Sequence, residues 1–103
     1  MKYQLVLQFP AKSDDDFDDL IALEDELIEE LGDSAEVDGH DFRADEMNIF
    51  IITEKPADTF EKIQPLLSKK ENFDDLTAAF RDLESEDYTT VWPRDFTKKF
   101  RVT

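Results

Sequence analysis

The stretch AEVDGHDFRADEMNIFIIT, residues 35–53, decides the fold. It contains two runs, 35–43 and 47–53, divided by Ala44–Glu46. The second run, MNIFIIT, is the most hydrophobic in the chain and predicts a central strand. The first is less apolar and predicts a neighbouring strand, joined to it by a short turn. Two successive strands in mid-chain demand further elements on either side to bury them.

Toward the N-terminus, residues 2–9 alternate, with Tyr3, Leu5, Leu7 and Phe9 on one face and Lys2, Gln4 and Gln8 on the other. That is a half-buried strand ended by Pro10. Between the strands, Ser13 is a good N-cap, and Asp14, Asp15 and Asp16 fall where the helix dipole favours anions. The helix runs to about Leu31 and stops at Gly32. On it, Phe17, Leu20, Ile21, Leu23, Leu27, Ile28 and Leu31 cover an arc of about 160°. Asp18, Asp19, Asp25, Glu26, Glu29 and Glu30 occupy the opposite side.

Toward the C-terminus, Pro56 opens a second helix, with Phe60, Ile63 and Leu67 on one face and Pro65 as a kink or break. Phe73, Leu76, Phe80 and Leu83 are spaced three, four and three apart, which predicts a third helix near 73–84. Tyr88–Trp92 predicts a last strand, stopped by Pro93. The resulting order, β-α-β-β-α-(α)-β, predicts an α+β, ferredoxin-like domain over residues 1–93: a four-stranded antiparallel sheet with helices on one face. Residues 94–103, RDFTKKFRVT, form a short basic tail that Phe96 and Phe100 would anchor.

Charge is distributed unevenly along this frame. Residues 13–46 hold 16 of the 27 acidic residues and one base, Arg43, so this third carries the whole net charge of −15. A local field of one sign attracts basic partners and repels nucleic acid and anionic membranes. The acidic helix contains no Lys to interleave with its carboxylates. Like charges at Asp15–Asp19, Asp25–Glu29 and Glu26–Glu30 each cost a few tenths of a kcal/mol, which calls for compensation by a basic partner or by the tail.

Three further residues stand apart from that face. Glu24 falls at the centre of the apolar arc, between Phe17, Leu20, Leu27 and Ile28, where a carboxylate must be paired or must shift its pKa upward. His40, the single histidine, lies in Glu36-Val37-Asp38-Gly39-His40-Asp41. A regular strand there places Asp38 and His40 on one face. Gly39 within it suggests a bulge or a close backbone approach. Glu24, Asp38 and His40 are therefore candidates for acid–base chemistry or ligand contact, each against the plainer role of a structural ion pair or a strand residue. One His and no Cys exclude a structural zinc site, and no metal or other cofactor is expected. Asp14-x-Asp16-x-Asp18 lacks the Gly and Glu that a calcium loop requires at its later positions. No phosphate-binding glycine motif or nucleophile elbow is present.

EVDGHD (36–41), MNIFIIT (47–53) and DYTTVWP (87–93) resemble segments of small bacterial proteins that mostly lack an assigned function. The small, acidic, cysteine-free composition is also similar to that of toxin-immunity proteins. These resemblances imply a cytoplasmic α+β protein and carry over no catalytic residues. With no apolar run of about 20 residues, a membrane span is not expected. The expectation is a non-enzymatic acidic binding module or inhibitor that presents Asp18, Asp19, Asp25, Glu26, Glu29 and Glu30 to a basic partner. The alternatives are a small-ligand protein or enzyme built on Glu24, Asp38 and His40, and a self-associating protein whose tail docks on the acidic helix of a second copy.

Overall fold

A computed structural model describes residues 2–11, 15–43, 45–69 and 75–93. The elements run β1 (Tyr3–Pro10), α1 (Asp15–Leu31), β2 (Glu36–Phe42), β3 (Glu46–Thr53), α2 (Pro56–Leu67), β4 (Thr77–Asp82) and β5 (Thr89–Trp92). The strands form one five-stranded sheet in the order β2-β3-β1-β4-β5, and every neighbouring pair is antiparallel.

β1 is central because it can be buried on both faces. Leu5 and Leu7 face the helices, Val6 faces the opposite side, and all three are fully buried. Its register places Leu7 opposite Ile49 on β3 and opposite Ala78 on β4. The helix-covered face continues through Phe9, Met47, Ile49 and Ile51, and Leu20, Leu23, Leu27 and Leu31 of α1 pack on it with Phe60, Ile63 and Leu67 of α2. Truncating any of these leucines would cost about 2–5 kcal/mol in lost transfer energy and cavity formation. The other sheet face is polar, apart from a small cluster of Val6 and Ala79 with Phe50 and Tyr88 against it. Asn48 is fully buried there, accepting from Gln8 Nε2 and donating to Glu46 Oε2, each at 3.1 Å.

Two expectations are corrected. Within the expected helix 73–84, residues 77–82 form the strand β4. Leu76 and Phe80 are four residues apart, a spacing that satisfies both the helical period and the strand period of two. The other side of β1 needs hydrogen-bond partners, and Thr77–Asp82 supplies them in unbroken register. Ala78 and Ala79, on opposite faces, are both fully buried, as a central strand requires and an amphipathic helix does not. The sheet consequently has five strands instead of four, and the last strand pairs with β4 at an edge. α2 continues through Pro65 to Leu67 instead of breaking there.

The chain ends α1 with Gly32 at φ +53°, a left-handed position, its N–H bonded to the Ile28 carbonyl at 3.1 Å. Pro56 sits in the first turn of α2, where its missing N–H costs no hydrogen bond. The Ser13 cap, Asp14, the side chains of Asp15 and Asp16, Phe73 and the tail 94–103 lie outside the described residues.

Candidate functional site at the α1–β2 seam

The bulge in β2 builds the site. Val37 pairs with Ile51, but Gly39 pairs with Phe50 and His40 with Ile49, so Asp38 is the extra residue. Gly39 takes φ +150°, a value L side chains rarely adopt. The insertion inverts the alternation beyond it. Directly opposed residues share a face, so His40 joins Ile49, and Phe42 joins Met47, on the helix-covered side. A regular strand would have put His40 with Asp38; the bulge separates them in register, and Asp38 is exposed.

This turn toward α1 brings His40 against Glu24. Nδ1 of His40 and Oε2 of Glu24 are 3.0 Å apart, with the side chains 29% and 16% exposed. Phe17, about two turns earlier on the same side of α1, contacts both neighbouring rings edge-on. Its centroid is 5.9 Å from that of His40 and 5.3 Å from that of Phe42. Glu24 thus lies beside the strip of α1 that the sheet buries (Leu20, Leu23, Leu27 and Leu31), paired with His40 instead of isolated in the core. Asp38 takes no part in the contact. Among the described residues, no group of three or more His, Asp or Glu side chains is placed to hold a metal ion.

The flank of α1 beyond this contact is partly open. Phe17 is 40% exposed and Ile28 is 52% exposed, although both belong to the apolar arc. Ile28 borders a shallow concavity with Val37 and Ile52, which contains neither His40 nor Glu24. About 80–120° further round the helix from Phe17 come Asp25, Asp18 and Glu29. These three, with Asp19 and Glu30, are exposed, and Glu26 is half-buried. Among the described residues, Asp18, Asp19, Asp25, Glu29 and Glu30 have no ion-pair partner.

At the hairpin end of β2, Arg43 donates from Nε to Asp41 Oδ2 at 2.8 Å. That hydrogen bond raises the pKa of the exposed guanidinium from its ordinary value. Arg43, the one base in the acidic third of the chain, is therefore engaged by its own strand and not by α1.

Among the described strands, β2 lies at an edge of the sheet. The Arg43 N–H donates to the Glu46 carbonyl at 2.8 Å, which makes Arg43 and Glu46 a hydrogen-bonded pair. In an antiparallel ladder bonded and non-bonded pairs alternate. The N–H and C=O groups of Phe42 and His40 therefore point away from β3, out of the sheet edge. Charge and helix periodicity find the acidic face from sequence alone. The outward backbone of His40 and Phe42 is invisible there, because it depends on strand order.

No helix among the described residues is long and apolar enough to cross a membrane. Compared with known families, curated proteins and solved structures, the chain matches no family model, no curated protein and no solved structure.

Proposed function

We propose that this chain is a non-enzymatic protein-binding module or inhibitor, which offers the outward face of α1 to a basic surface of a partner protein. Asp18, Asp19, Asp25, Glu26, Glu29 and Glu30 supply the field. The observation that supports it is the set of exposed carboxylates, Asp18, Asp19, Asp25, Glu29 and Glu30, without ion-pair partners among the described residues, beside the exposed side chains of Phe17 and Ile28. A helix shaped only for solvation would interleave Lys and relieve its own repulsion. Here the carboxylates give long-range attraction, and the apolar side chains give contact area once a partner has docked. The order β2-β3-β1-β4 supports a ferredoxin-like sheet carrying β5 as an added edge strand. A cysteine-free chain accords with a cytoplasmic setting.

The test is titration of a fluorescent Lys/Arg-rich peptide against the protein and against a D18N/D25N/E29Q variant. Binding that weakens with salt and falls at least tenfold in the variant supports the proposal; equal binding by both proteins overturns it.

A second function rests on the 3.0 Å contact between His40 and Glu24. Such a pair can hold and pass a proton to a small ligand at the seam. Loss of a ligand-induced signal in His40→Ala, with stability retained, would favour this function over the first.

A further inference from the structure

We infer that the basic partner binds as an added β-strand on the free edge of β2, between His40 and Phe42. This rests on the binding function proposed above and specifies how the partner is held.

The edge offers a matched set of backbone groups. His40 and Phe42 are two residues apart, and each presents one N–H and one C=O outward, on a strand with no neighbour beyond it among the described residues. An antiparallel segment can pair with both residues and form four main-chain hydrogen bonds. The bulge at Asp38–Gly39 ends the regular edge on one side and the hairpin at Arg43 ends it on the other. The docking stretch is therefore short and its register is defined.

The same geometry selects the side chains. Partner residues opposite His40 and Phe42 share their face, the helix side of the sheet. There they meet the exposed part of Phe17, whose ring touches both. Beyond it on α1 stand Asp18 and Asp25, exposed. A Lys or Arg at each of these two positions lays its aliphatic stem on Phe17 and carries its charge to the carboxylates. The occupant is thus an extended segment with basic residues at alternate positions.

A second copy of the chain fits this edge poorly. Its own β2 carries Glu36, Asp38 and Asp41, and self-pairing would bring these, together with both acidic helices, against their like. Acidic side chains and a bulge on an edge strand oppose pairing with the same chain and leave pairing with a basic one open.

The experiment uses the whole protein and the blocked peptide Thr-Arg-Thr-Arg-Thr-Arg-Thr, with a control N-methylated at each arginine. The control keeps the charge and loses the donors that would face β2. Amide exchange is followed by NMR and affinity by anisotropy. The proposal expects the unmodified peptide to slow exchange at His40 and Phe42 at least tenfold, and the control to bind at least tenfold more weakly. If both peptides bind equally and exchange at His40 and Phe42 is unchanged, strand addition is overturned while the acidic-face function stands. If neither binds at millimolar concentration, both fall. If the same amides slow with protein concentration alone, the occupant is a second copy, and the proposal of a basic partner strand is overturned.

Discussion

His40 Nδ1 stands 3.0 Å from Glu24 Oε2, tying the edge strand β2 to α1 across sixteen positions of sequence. Both side chains are partly exposed, so the link is worth about 0.5–1 kcal/mol. A double-mutant cycle with Glu24→Ala and His40→Ala, read by urea denaturation, should give a coupling of that size. Strictly additive single effects would show that the two side chains do not stabilise each other.

The contact depends on the bulge. Gly39 has φ +150°, and no atom lies within 4 Å of where a Cβ would stand. Gly39→Ala should therefore lose about 1–2 kcal/mol through backbone strain and not through collision. The Glu24–His40 coupling should shrink in the same background, because the strand must straighten or shift to relieve the strain. A variant as stable as the parent, with coupling intact, would contradict the account of β2.

The acidic face should show opposed effects on stability and binding. Asp25→Lys replaces a repulsive pair with Glu29 by an attractive one at i,i+4 and should raise stability by about 0.5 kcal/mol at low ionic strength. The same change should weaken binding of a Lys/Arg-rich peptide. Urea melts and anisotropy on the same samples check both. A variant that is more stable and binds as tightly would remove Asp25 from the recognition surface.

At the opposite end of the sheet, Thr53 Oγ1 lies 2.7 Å from Thr59 Oγ1 and accepts the Lys55 N–H at 3.1 Å. Both threonines are buried. Thr53→Val keeps the shape but leaves the Lys55 N–H and the Thr59 hydroxyl without that partner, and should cost about 1–3 kcal/mol in a urea melt. It should leave peptide binding unchanged, which makes it a control for losses of binding caused by stability alone.

Local pattern sufficed for β1, α1, β2, β3 and α2, because each carries one clear period or a cap such as Gly32. It failed at residues 77–82, where Leu76 and Phe80 fit either period and the choice belongs to the unfilled side of β1. At the seam, Gly39 signalled the bulge and Glu24 signalled the need for a partner. Neither signal identified His40 as that partner, because the inversion of faces beyond Asp38 exists only once the register with β3 is set. Phe17 and Ile28 looked like core for a similar reason. An apolar arc of about 160° is wider than the strip of helix this sheet covers, so its flank stays exposed.

The central claim concerns where a basic segment meets this protein. Chemical-shift mapping on labelled protein, titrated with a Lys/Arg-rich peptide at low salt, tests it most directly. The account predicts that the perturbed amides cluster on α1 between Asp18 and Glu29 and on β2 from His40 to Phe42, and that they revert as salt is raised. Perturbations centred on α2 or β5, or none at all, would contradict it.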